Sequence, residues 1–483
     1  MTAWVASWTL LLLWAVGEVP VDSAEQMAWV RSLQWGYHKH PPLPTWLIAP
    51  WVALFGLQDW IPALMGAALK FLSLLLCWNL IARIEGVPRA TLALACITGV
   101  AYYSSRLHTY SHNEVILACS AGAAWALWRA QHAEQAPQAK GRRHWMLLGL
   151  CLGLGLLAKY QAVTTVAAVL VYATLAGLWA RPHQRRGLVL ALVVAALVVT
   201  PHVWWLAHAP HTPLGYAVDS SLGTDLGVFE RVRQLLVWKG NLVLRALGAL
   251  LILMVVSWWA RVRHQRQALA PGTAAERPES MQQGRLLLWC WAMVPLAFVC
   301  AMALLGGSTV RPHWAIPMAL WIIAALSTLV PERGLLFVAR RRFIGLLVLV
   351  QLILAAELLW SESRSAVAAA RWGQPMVQRW ANAVAEAARL ELGGEIRVVI
   401  APETVASTFA LAVRERPYPV LDGRLEISPW VPNGLIERCG VLFIVFEPPG
   451  PGRHPVPGGP AEMIWRTVPA LDGKGCRGND KAP

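Results

Sequence analysis

The sequence predicts an all-α polytopic membrane protein carrying a small C-terminal α/β domain, and three observations carry that prediction. Hydrophobic residues make up 57% of the 483 positions and charged residues only 14%, against about 25% charged in a soluble domain. Apolar runs close to the ~20 residues that a bilayer span requires recur through position 360 and then stop. The basic residues between those runs alternate between rich and poor loops, the pattern that orients membrane helices.

Eleven spans are expected, near 3–19, 61–82, 90–105, 114–130, 145–158, 161–180, 187–207, 240–260, 286–306, 314–331 and 343–360. The fifth is short, and only Lys159-Tyr160 separates it from the sixth. The first lacks a basic leader and a small-x-small cleavage site, so it reads as a retained helix. One alternate set of loops holds Arg83 and Arg89, then Lys140, Arg142 and Arg143, then Arg181, Arg185 and Arg186. It continues with Arg261, Arg263, Arg266, Arg277 and Arg285, and with Arg333 and Arg340 to Arg342. The positive-inside rule makes that set cytoplasmic, so the N-terminus is inside and everything after Trp360 is outside. An odd number of spans satisfies both ends. The net charge of +15 is then topological, and it excludes nucleic acid as the natural partner.

Residues 1–360 form the membrane domain, and three outer segments, 20–60, 208–239 and 361–483, exceed what a turn needs. The last reads as an α/β domain over 361–470, with an amphipathic helix near 375–391, strands near 396–401 and 441–446, and Pro/Gly-rich loops over 447–459. A disordered tail over 471–483 follows. The cytoplasmic stretch 267–284 is polar and reads as a flexible loop. Six of the eight cysteines sit inside apolar runs and act as small hydrophobes. Cys439 and Cys476 both fall in the outer domain, where a disulfide is chemically allowed; sequence does not decide it.

The first outer segment holds the densest chemistry. Asp22 and Glu25 lie three residues apart just past the first span, and Trp35-Gly-Tyr37-His38-Lys39-His40-Pro-Pro follows. If 23–33 is helical, Asp22 is its N-cap and Glu25 its N3 residue, a capping box with no catalytic meaning. Against that, a carboxylate at the membrane surface suits proton chemistry. Lys39, stiffened by Pro41-Pro42, either snorkels to lipid headgroups or holds a phosphate. His108 and His112 are spaced i, i+4 with Glu114 nearby, which would suit a metal only with a third ligand at known spacing. Arg106, Lys159-Tyr160, Arg311-Pro-His313 and Tyr216 also fall in outer loops. Cations on several outer loops form a pocket for an anionic lipid headgroup.

These stretches resemble a known family. Asp22-Ser-Ala-Glu25-Gln with Trp35-Gly-Tyr-His-Lys39-His-Pro-Pro-Leu43 is similar to the first outer loop of bacterial GT-C glycosyltransferases of the family-39 type, relatives of protein O-mannosyltransferases and of the aminoarabinose transferase that modifies lipid A. Leu147 to Tyr160, Pro201 to Leu206 with Tyr216-Ala, and Arg311-Pro-His-Trp-Ala-Ile-Pro317 match in order. The resemblance implies a GT-C fold and a multi-pass protein of the bacterial inner membrane whose site and C-terminal domain are periplasmic. It implies inverting transfer of a hexose or pentose from a polyprenyl-phosphate carrier to a lipid or protein acceptor, among membrane lipids.

By the same resemblance Asp22 is a catalytic carboxylate and Lys39 meets the donor phosphate; the displacement itself needs a base and cations for the leaving phosphate, for which Glu25 joins Asp22, and Arg311 or Lys159 joins Lys39. Tyr37, Arg106, Asn113, Glu114, Tyr216 and His313 bind substrate. The family's second acidic residue is Ser23 here. No cofactor is required, because the carrier phosphate is already an activated leaving group; a divalent metal is left open. Two rivals use the same cations: a flippase for a lipid-linked sugar, to which mid-span Lys70 and Glu357 would belong, and a non-catalytic relative, which Ser23 would suit.

Overall fold

The computed structural model describes residues 1–16, 19–132, 138–210, 212–216, 226–266, 278–372, 377–448, 450–460, 462–471 and 476. The expected tail over 471–483 and the core of the 267–284 loop therefore lie outside the described residues, apart from 278–284, 471 and 476.

Among the described residues the membrane domain is helical, with no strand. In chain order its helices are α1 (Thr2–Ala15), α2 (Val21–Trp29), α3 (Leu43–Phe55), α4 (Trp60–Glu85), α5 (Val87–Thr98), α6 (His112–Gln131), α7 (Gln138–Ala158) and α8 (Val163–Leu175). They continue with α9 (Pro182–His208), α10 (Val228–Arg245), α11 (Leu247–Arg266), α12 (Glu279–Leu305), α13 (Ile316–Ser327), α14 (Glu332–Val338) and α15 (Arg341–Trp372). Among the described residues α4, α9, α12 and α15 are each long and apolar enough to cross a bilayer, and α10–α11 and α13–α14 are bent pairs, by 63° and 111°, that would bring the number to six. Shorter apolar helices accompany them. Leu197, Trp204, Met254, Leu305 and Leu352 point outward and are exposed. A lipid solvent explains such faces and water does not. The protein is a multi-pass membrane protein.

Several expected boundaries move. Residues 90–105 do not make one span: α5 stops at Thr98, and Gly99 packs against the backbone of α11, where a Cβ would lie 2.7 Å from the Ala249 nitrogen. The weak fifth span is instead a 21-residue helix, α7, because the polar turn 138–144 continues it. The 314–331 span is broken after Ser327. Arg89 is no loop charge, since its side chain is buried and pairs with Glu85 while donating to the Ser327 carbonyl at 2.9 Å.

The C-terminal domain is α/β. It runs α16 (Val377–Leu392), β1 (Val398–Ala401), α17 (Glu403–Ala412), β2 (Tyr418–Leu421), α18 (Leu435–Cys439), β3 (Val441–Phe446), β4 (His454–Pro455) and β5 (Met463–Val468). The five strands are ordered β2-β1-β3-β5-β4, with β2-β1-β3 parallel and β5 antiparallel to β3 and to β4. Cys439 and Cys476 are bridged, their Cα atoms 4.8 Å apart. This domain is not a free appendage. Trp380, Val405 and Phe409 share one buried cluster with Ala28, Trp29 and Tyr37 of the membrane domain. Two polar links flank it: Arg31 donates to the Arg416 carbonyl at 2.9 Å, and Arg416 pairs with Asp59 at 3.1 Å.

Candidate active site

Helix α2 organises the site. Its N-cap is Pro20, which makes no side-chain cap, so the capping box expected at Asp22 and Glu25 does not form. Proline starts the helix with its fixed φ, two residues earlier than an Asp22 cap would allow. Asp22 and Glu25 therefore lie one turn apart on the same side of the helix. A side-chain cap stands instead at α6: Ser111 accepts from the Asn113 N–H, and its hydroxyl donates to Glu114 at 2.6 Å.

Glu25 is almost fully buried and accepts from Lys39 Nζ at 2.6 Å. Burial raises its carboxyl to about 8, helped by the charges of Glu403 and Asp22 and opposed by Lys39. Burial works against the Lys39 ammonium too, but Glu25 and Glu403 more than offset that, so its pKa lies above the usual lysine range. Glu403 comes from α17 of the C-terminal domain. One of its oxygens lies 3.4 Å from Lys39 Nζ, and the other accepts from His38 Nε2 at 3.2 Å. The Tyr216 ring sits 5.4 Å beneath the Lys39 ammonium.

A second cation faces the same region. Lys159 Nζ donates to Asn113 Oδ1 at 3.2 Å and stands 5.6 Å from the Trp314 ring centroid. Burial lowers its pKa to about 8, while the charges of Asp22 and Glu114 hold it up. Among the described residues Asp22 makes no hydrogen bond or ion pair, although its charge acts on both Glu25 and Lys159. His40 and His112 pack with ring centroids 3.8 Å apart, near Trp29 and Tyr216. Burial, then the neighbouring cations, push both imidazoles well below their ordinary value, and His313 falls to about 3 for the same reasons. Three neutral imidazoles thus sit beside two lysines. The tautomer of His112 is set by Gln26, whose amide N–H donates to Nε2 at 3.2 Å while Thr45 donates to the amide oxygen at 2.8 Å.

Not every predicted site residue joins this cluster. Tyr37 turns inward, stacks on Trp29 at 4.8 Å and donates to the Ser32 carbonyl at 3.1 Å, which is a packing role. Glu114 is closed by Lys70, 3.1 Å away and equally buried, and by the hydroxyls of Ser111 and Thr109. Arg106 is exposed, and its carbonyl accepts from Lys70 at 3.0 Å. Arg311 is exposed at the rim, its charge reaching His313. Ser23 faces away from the lysines, donating to the Tyr110 carbonyl at 2.9 Å and accepting from the Tyr110 N–H at 3.2 Å. The i, i+4 pairing of His108 with His112 fails because α6 begins only at His112. Among the described residues no group of three His, Cys, Asp or Glu side chains is placed to hold a metal. Glu403, His40 and Gln26 were not singled out as site residues in the sequence: no spacing connects Glu403 to residues more than 360 positions earlier.

The sequence profile of the dolichyl-phosphate-mannose-protein mannosyltransferases matches residues 39–205. A lipopolysaccharide core galacturonosyltransferase, RgtA of Rhizobium johnstonii, is 26% identical over 78% of this chain and 75% of its own length. The lipid A galacturonosyltransferase RgtD of the same organism is 27% identical over 43% of this chain and 42% of its own length. In structure, ArnT from Cupriavidus metallidurans bound to undecaprenyl phosphate superposes with a TM-score of 0.66 at 14% identity, over 96% of this chain and 97% of that one. The chain has the fold of ArnT, and its sequence is similar to those of protein mannosyltransferases and of bacterial galacturonosyltransferases.

Proposed function

We propose that this protein transfers a sugar from a polyprenyl-phosphate carrier to a lipid acceptor at the periplasmic face of the bacterial inner membrane, with inversion at C1. The observation that carries the reading is Asp22, held on α2 with no partner among the described residues, within electrostatic reach of a lysine that has no carboxylate hydrogen-bonded to it. The eleven-span topology, with α2, the lysines and the C-terminal domain outside, belongs to the same proposal. So does galacturonate transfer to lipopolysaccharide, the activity named for the relatives, which is the first donor–acceptor pair to test.

Asp22 takes the proton of the acceptor hydroxyl as its oxygen attacks C1. The C1–O bond to the carrier phosphate breaks on the opposite face, and the phosphate gains a negative charge as it leaves. Lys159, oriented by Asn113, and Lys39, oriented by Glu25, are the cations we assign to that charge. Their desolvated surroundings strengthen the attraction. His40, His112 and His313 add neutral donors that do not compete for the proton. The flippase alternative drew on Lys70, whose charge is satisfied by Glu114 and three backbone carbonyls.

The test incubates purified protein with radiolabelled polyprenyl-phosphate sugars, galacturonate first, and lipopolysaccharide. Label appearing in the lipid acceptor supports the proposal. Its absence across a broad donor panel, with carrier lipid crossing the bilayer in proteoliposomes, would favour the flippase.

A further inference from the structure

We propose that Glu403, a residue of the C-terminal domain, is a positioning residue of the transfer site, its two carboxylate oxygens holding His38 and Lys39 of the first outer loop. The contact stands on geometry; its effect on turnover rests on the transferase reading above. Glu403 opens α17 directly after β1, and its backbone N–H donates to Asp422 Oδ1 at 3.0 Å. The helix behind it packs through Val405 and Phe409 in the cluster that holds Trp29 and Tyr37. Arg31 and Arg416 fasten the two domains on the same side. The carboxylate is therefore delivered by a rigid support, and its side chain is only 15% exposed.

Its chemistry divides cleanly between two partners. His38 Nε2 lies 3.2 Å from Oε1, and Lys39 Nζ lies 3.4 Å from Oε2. Lys39 is thus held between Glu403 and Glu25, the latter at 2.6 Å. A lysine side chain with one anchor swings, whereas one with two presents its ammonium at a fixed point. Charge follows position. While Glu403 is ionised, Lys39 has a counter-ion other than Glu25, and the Glu403 charge disfavours ionising Glu25. Without Glu403 the Lys39 ammonium has Glu25 as its remaining carboxylate partner, so Glu25 would ionise at lower pH. The groups facing this triad are Asp22 on α2, His38 in the loop, Tyr216 below Lys39, and Lys159 across the cluster. The C-terminal domain, on this view, completes the site rather than only receiving an acceptor.

The experiment compares full-length Glu403→Gln, Glu403→Asp, Lys39→Met and the double variant Lys39→Met/Glu403→Gln with the wild type. In substrate-free thermal unfolding, the double variant should lose less than the sum of the two single losses; additive losses overturn the proposal. In transfer assays Glu403→Gln should lower kcat by roughly tenfold with donor KM little changed. Ionised Glu25 is the form that pairs with Lys39, so the pH–rate limb set by Glu25 should move to lower pH, and Glu403→Asp should recover part of kcat. A wild-type kcat and pH profile in Glu403→Gln, or a change in KM alone, overturns it. If the wild type transfers no sugar at all, the proposed function fails, and the thermal cycle still decides the Glu403 contact.

Discussion

Lys70 Nζ lies 3.1 Å from Glu114 Oε1, both side chains wholly buried, and it also donates to the carbonyls of Arg106, Leu107 and Thr109. This pair closes the turn 104–111, which α4 approaches closely at Gly66; a Cβ there would meet the Thr109 carbonyl oxygen at 2.2 Å. The turn in turn holds Ser23 of α2 through Tyr110. Breaking a buried pair from one side leaves an uncompensated charge, which costs about 3–5 kcal/mol. Lys70→Met or Glu114→Gln should each destabilise the protein by that order in detergent thermal unfolding. The double replacement should recover part of the loss.

On the role proposed for Lys159, donor binding depends on pH. Its pKa is lowered by burial to about 8, so it is charged below that pH and neutral above it. Binding of undecaprenyl phosphate should weaken as pH rises through about 8, as measured by titration at constant ionic strength. Lys159→Arg should remove that alkaline loss, since guanidinium stays charged. Lys159→Met should lower kcat by roughly a hundredfold or more, the scale for deleting one donor to a developing anion.

Glu25 acts on stability in the other direction. Its carboxyl is raised from 4.5 to about 8, chiefly by burial. A raised folded-state pKa contributes stability that is complete below the unfolded value and is lost as pH rises through the folded one. The thermal midpoint should therefore fall between about pH 4.5 and 8, and Glu25→Gln should flatten that part of the curve.

The disulfide gives a fourth check. Cys439 follows β2 and lies on α18, and Cys476 lies 37 positions later beyond β5. A crosslink of that span stabilises by about 2–4 kcal/mol. Cys439→Ser should lower the unfolding midpoint of the C-terminal domain, and reductant should have the same effect on the wild type while leaving the variant unchanged.

Much of this architecture was legible in the sequence, for identifiable reasons. The helical membrane domain followed from apolar run length, and β3 over 441–446 was placed at its observed bounds because a short run of Val, Leu, Ile and Phe is flanked by glycine and proline. Asp22, Lys39 and Lys159 were singled out because charged residues at apolar boundaries are conspicuous. The helix ends at Thr98 and Ser327 were not read from the sequence, since the apolar runs continue past both. The alternative capping role of Asp22 does not hold, because Pro20, two residues ahead, starts the helix without a polar cap. Tyr37 and Glu114 looked like substrate contacts, yet stacking on Trp29 and pairing with Lys70 occupy them. Glu403 left no local trace: only the docking of α17 against α2 brings it to Lys39.

The most direct test of the catalytic account is transfer by Asp22→Asn beside the wild type, with a radiolabelled polyprenyl-phosphate sugar and lipopolysaccharide acceptor. Undecaprenyl phosphate binding serves as the control for an intact site. Loss of a general base costs about 10²–10⁴-fold, so the variant should bind the carrier normally and transfer at most a hundredth as fast. Equal transfer by the two proteins would contradict the assignment of Asp22 as the base.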